Sequence, residues 1–133
     1  MTKNQTKSIK KPEHEEKSPI IFDRKALYHR LMDDEEIVQA IIPQFLDDMP
    51  KQINTLRNYV HAGNMKQTEE QAHKIKGAGG NMGSPALQEI AYAMERAGKA
   101  GNTEELQTLM PKLENCFSHL KKLMEADLAQ YQS

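Results

Sequence analysis

His73 heads a run, His73-Lys74-Ile75-Lys76-Gly77-Ala78-Gly79-Gly80-Asn81-Met82-Gly83, whose residue types suit chemistry better than packing. Positions 73, 76, 77 and 80 follow the i, i+3, i+4, i+7 spacing that gathers side chains on one stripe of a helix. That stripe carries an imidazole, an ammonium and two bare stretches of backbone. The apolar residues Ala72, Ile75 and Met82 fall on another stripe, roughly 130° round the helix at about 100° per residue. One side of the helix therefore packs, and the other presents His73 and Lys76 beside Gly77 and Gly80. Each glycine costs a helix on the order of 1 kcal/mol relative to Ala. Glycines gathered this closely imply that something bulky approaches the imidazole. Neutral imidazole is nucleophilic near neutral pH because its unperturbed pKa is about 6.5. One ring nitrogen can attack while the other keeps its proton, which needs an acceptor to hold the ring. Gly83 suits a turn with positive φ.

The rest of the chain offers little competing chemistry. His14, His29, His61 and His119 are scattered with no HxxxH or HExxH spacing, so no metal site is expected. The single Cys116 excludes an internal disulfide and a Cys-based zinc site, and it suits a reducing cytoplasm. No GxxxxGK[ST] or GxGxxG loop is present, so phosphate handled here must come from elsewhere and no cofactor is expected. With 18 Lys and Arg against 19 Asp and Glu, the net charge of −1 gives no pull toward nucleic acid or an anionic membrane. No apolar run approaches the ~20 residues of a membrane span, and the N-terminus lacks a signal-peptide core. A cytoplasmic protein without direct membrane insertion is expected.

Positioning such a stripe requires helices, and the sequence supplies them. At 133 residues the chain has room for one domain with a real core. Residues 1–19, rich in Lys, Glu, Ser, Thr and Pro, read as a flexible tail or linker, and residues 20–133 as a helical bundle. Asp23 caps a short first helix through about Met32, with Phe22 as a staple. Asp33 or Asp34 caps a second whose apolar stripe is Ile37, Val38, Ile41, Ile42, Phe45, Met49, Ile53, Leu56 and Val60. Pro43 and Pro50 within it predict a bend, or two helices end to end. Asn64 caps a third helix, Met65 to about Gly80, which carries His73. Ser84-Pro85 starts a fourth with core face Leu87, Ile90, Ala91, Met94 and Ala97, stopping at Gly98 or Gly101. Asn102, with Glu105 three residues on, starts a fifth along Leu106, Leu109, Met110, Leu113, Phe117, Leu120, Leu123, Met124 and Leu128, bent at Pro111. The eight methionines read mostly as core filler. Short connections between long amphipathic helices imply antiparallel neighbours. The expected fold is all-α: an antiparallel up-down-up-down four-helix bundle with a short additional N-terminal helix, as a monomer.

The run from His73 to Gly83 and this helix pattern resemble the histidine-containing phosphotransfer (HPt) domains of bacterial phosphorelays, over roughly residues 23–128. Those domains carry a phosphoryl group on the imidazole between receiver-domain aspartates. The resemblance implies that His73 is the phosphoacceptor and that Lys76 offers its ammonium to phosphoryl oxygens. Family members place a Gln or Glu on the next helix to bond the non-reacting nitrogen, and Glu95 falls at the matching place. Gly77 and Gly80 would clear space for the receiver, with Lys74, Gln88 and Lys99 around the docking surface. The partners implied are response-regulator receiver domains, in a free-standing protein or at the C-terminal end of a hybrid sensor kinase. The metal ion would belong to the receiver, and no kinase activity is expected. Two other readings stand beside this one. In the first, a non-catalytic helical adaptor binds a partner through the His73 face. In the second, the chain is a histidine kinase dimerisation domain, against which the extra helices and the missing nucleotide-binding domain both count.

Overall fold

Short polar side chains start the helices. The computed structural model describes residues 18–132, and within them five helices follow one another: α1 Arg24–Arg30, α2 Glu35–Ala62, α3 Met65–Asn81, α4 Pro85–Ala100 and α5 Thr103–Gln132. Residues 1–17 of the expected tail lie outside the described residues. Asp23, Asp34, Asn64 and Ser84 each accept from the backbone amide three residues on, satisfying donors that the first turn leaves without partners. Asn102 does the same for Glu105 at the start of α5. α2 and α4 end on Gly63 and Gly101 in the left-handed conformation. Gly98, the other stop considered for α4, lies inside that helix.

The chain turns within a few residues at 63–64, 82–84 and 101–102, so α2 to α5 run up, down, up and down. Their inward faces close on one core. Val38, Ile42, Met49 and Leu56 of α2 meet Ala72 and Ile75 of α3, Leu87, Ala91 and Met94 of α4, and Leu106, Leu113, Leu120 and Met124 of α5. Phe45 and Phe117 meet edge to face, centroids 6.1 Å apart. The stripes are narrower than the sequence pattern suggests, since Ile37 and Leu123 are 43% and 38% exposed at their margins.

α2 is continuous across Pro43 and Pro50, which excludes two helices end to end. Both prolines, and Pro111 in α5, are exposed. Pro43 and Pro50 stand seven residues apart and so share the outer face, where water can serve the carbonyls that lose a donor.

α3 and α4 approach most closely, through two glycines. A Cβ on Gly98 would stand 3.1 Å from the Glu69 backbone nitrogen, and one on Gly79 would stand 3.2 Å from Leu87 Cδ2. These two contacts fix the antiparallel register and set His73 opposite the turn of α4 that holds Glu95.

α1 covers one end of the bundle. The Asp23 amide donates to the Gly83 carbonyl at 2.7 Å. Arg24 pairs with Asp127 of α5, and the Tyr28 hydroxyl donates to the same carboxylate at 3.2 Å. Gly83, at φ +79°, is the turn glycine the sequence suggests, and a Cβ there would sit 2.9 Å from the Asp23 carbonyl oxygen.

Candidate functional site

Ala72 and Ile75 are fully buried, which turns the neighbouring stripe of α3 outward. The His73 side chain is 64% exposed, whereas Glu95, reaching across from α4, is only 19% exposed. Imidazole Nδ1 lies 3.1 Å from Glu95 Oε2. Burial alone would raise the Glu95 pKa, but the Lys76 ammonium and the His73 imidazole beside it prevail and hold it below its ordinary value of 4.5. Glu95 is therefore a carboxylate at neutral pH. A carboxylate only accepts, so Nδ1 carries the proton of the neutral ring and the lone pair resides on Nε2.

Lys76, one turn along α3, places Nζ 2.9 Å from Glu95 Oε1. The approach is an ion pair outside good hydrogen-bond alignment. The same ammonium stands 4.8 Å from the centroid of the Tyr92 ring, and the Arg96 guanidinium carbon stands 4.6 Å from it. Glu95 thus links His73 to Lys76, and Tyr92 links Lys76 to Arg96. Lys76, Pro85, Gln88, Glu89 and Tyr92 line a hollow of about 470 Å³ beside this group.

The remaining positions singled out in the sequence divide. Gly77 is exposed, and a Cβ there would meet nothing within 4 Å, so packing inside this chain does not demand glycine. At Gly80 a Cβ would come within 2.6 Å of Gln88 Nε2, so the Gln88 amide already occupies the space over that backbone. Lys74 is exposed on the other flank of α3, beside Asp48, Lys51 and Gln52 of α2. Lys99 is exposed one turn beyond Glu95 on α4. His73, Lys76 and Glu95 therefore form one connected group, with Gly77, Gly80 and Gln88 adjoining it.

Sequence reasoning passed over Tyr92 and Arg96. Tyr92 is 45% exposed, and it lies one turn before Glu95, off the Leu87, Ile90 and Met94 line. An aromatic off the core stripe was the available signal. Among the described residues no group of three His, Cys, Asp or Glu could hold a metal ion.

This arrangement offers an exposed nitrogen nucleophile, a fixed tautomer, a carboxylate facing any positive charge that develops on the ring, and an ammonium nearby. It can accept an electrophilic group from a partner.

Comparison with known proteins bears on what that group is. The Hpt domain family matches residues 40–129. Among solved structures, the fold is similar to the crystal structure of histidine-containing phosphotransfer protein B (HptB) from Pseudomonas aeruginosa PAO1. The TM-score is 0.78 at 21% identity, covering 83% of this chain and 96% of that one. No curated protein matches the chain.

Proposed function

The chain belongs to the Hpt domain family, a membership that carries a histidine phosphotransfer role in phosphorelays, and from that premise we propose that His73 accepts a phosphoryl group from the aspartyl phosphate of a receiver domain and passes it to another. The observation that carries this reading is the 3.1 Å contact between Nδ1 and Glu95, which leaves Nε2 free on an exposed ring.

The receiver docks over the His73 face. The Nε2 lone pair attacks phosphorus in line, and the N–P bond forms as the P–O bond to the aspartate breaks. The aspartate leaves as a carboxylate with the bonding electrons. The ring keeps its Nδ1 proton and becomes a phosphorylated imidazolium, whose positive charge faces Glu95. Lys76 turns its ammonium to the phosphoryl oxygens. Attack on phosphorus by the carboxylate of a second receiver reverses these steps. Positioning and electrostatics account for most of the chemistry. Gly77 gives the receiver backbone-level access. Residues 20–133 are the unit that performs the transfer.

Incubation with a phosphorylated receiver tests this. Acid-labile, base-stable phosphate should map to residue 73, and ATP alone should give none. His73→Gln should abolish uptake and leave the melting temperature nearly unchanged. Uptake by that variant would refute the assignment, and a wild-type protein that binds a receiver without taking phosphate would be an adaptor.

A further inference from the structure

Tyr92 takes no part in the transfer as derived above, yet its ring meets the Lys76 ammonium at 4.8 Å while remaining 45% exposed. An exposed aromatic on an amphipathic helix usually needs no explanation. This one lies one turn from Glu95, beside the cation that Glu95 also holds. Lys76 has four rotatable bonds and would lose its placement readily on an open surface. Yet its side chain is only 24% exposed. Two contacts hold it, the carboxylate at 2.9 Å and the ring face. Of these, the carboxylate must also serve the imidazole. Once the ring of His73 carries positive charge, that charge and the ammonium compete for one carboxylate. The Tyr92 ring is the partner of Lys76 that this competition does not weaken. Arg96, 4.6 Å from the ring, packs against the same aromatic and restrains it.

We propose that Tyr92 is a positioning residue for phosphotransfer, holding the Lys76 ammonium beside the His73–Glu95 pair so that it meets the phosphoryl group as the group arrives. The proposal rests on His73 being the acceptor. What acts is the π face, so Phe serves as well as Tyr and an aliphatic residue does not. Cation–π attraction at an exposed site predicts an effect of roughly two- to fivefold on the transfer rate.

The experiment uses Tyr92→Leu, Tyr92→Phe, Lys76→Ala and the double variant Tyr92→Leu/Lys76→Ala, each with a phosphorylated receiver as donor and the unphosphorylated receiver as binding probe. Tyr92→Leu should slow uptake roughly two- to fivefold without weakening receiver binding, and Tyr92→Phe should restore it. In the Lys76→Ala background Tyr92→Leu should add nothing, because the group it positions is gone. NMR supplies a readout that needs no phosphate: the Lys76 ε protons should show a ring-current shift in wild type that Tyr92→Phe keeps and Tyr92→Leu loses. Additive losses in the double variant, or receiver binding weakened in step with the rate, would overturn the proposal and make Tyr92 a docking contact. Unshifted Lys76 ε protons in wild type would also overturn it. If wild type takes no phosphate, the His73 reading fails. The ring-current shift then decides separately whether Tyr92 holds Lys76.

Discussion

At the scale of single residues, Glu95 carries the most. It orients the imidazole, sets which nitrogen is free, and pairs with Lys76. Its folded-state pKa lies below 4.5 despite the opposing effect of burial. A depressed carboxylate stabilises the fold fully above the unfolded value and loses that contribution as pH falls through the folded value. Wild type should therefore melt higher than Glu95→Gln at pH 7. The gap should shrink below about pH 4.5 and vanish in stronger acid, as thermal melts across that range would reveal. Lys76→Ala should slow phosphotransfer while leaving affinity for the unphosphorylated receiver unchanged, measured by titration beside transfer rates. The His73 stripe was legible because helical spacing alone separates 73, 76, 77 and 80 from the core face. The Lys76–Tyr92–Arg96 chain was not. It depends on which residues of α4 stand opposite α3, and periodicity within one helix does not encode that register.

At the scale of elements, the glycines of α3 and α4 do unlike jobs. Gly98 lets two backbones touch, so Gly98→Val should force α3 from α4 and destabilise by about 1–3 kcal/mol, outweighing any gain in helix propensity. Gly77 faces open space, so Gly77→Ala should stabilise by up to about 1 kcal/mol. Urea unfolding of both variants would show the opposite signs. The helix starts were readable because Asp23, Asp34, Asn64, Ser84 and Asn102 act locally on the next turn. The continuity of α2 was not readable from Pro43 and Pro50 as residue types. It follows from both facing outward, where a missing donor costs least. Of the two stops the sequence offers for α4, Gly101 is the one used, and Gly98 could not be told from it because Glu69, which it packs on, is remote in sequence and adjacent only in the fold.

At the scale of the whole molecule, four apolar stripes close on each other, and among the described residues the large apolar side chains left exposed, such as Met32, Ile37 and Leu123, are scattered. A monomer at micromolar concentration is the expected state, and a stable dimer in sedimentation velocity would contradict it. α1 hangs on Asp127, which is 4% exposed and serves both Arg24 and Tyr28. Asp127→Ala should cost about 1–3 kcal/mol in urea unfolding, since it removes the carboxylate that pairs with Arg24 and accepts from the Tyr28 hydroxyl. The bundle itself was legible from stripe lengths and short turns. The anchoring of α1 was not, because it joins residues about a hundred positions apart.

That anchoring also settles where the ends of the described chain lie. The Ile20 carbonyl accepts from Ala86 at the start of α4, and Arg24 meets Asp127 a turn or so before α5 finishes at Gln132. Both ends thus leave from the pole that α1 covers, while the connections at Gly63–Asn64 and Gly101–Asn102 lie at the opposite pole. The protein is accordingly suited to circular permutation. With residues 1–19 left out, a short linker from Gln132 to Ile20 should close the described unit, and ends opened at the exposed Gly101 should leave the His73, Lys76 and Glu95 group untouched.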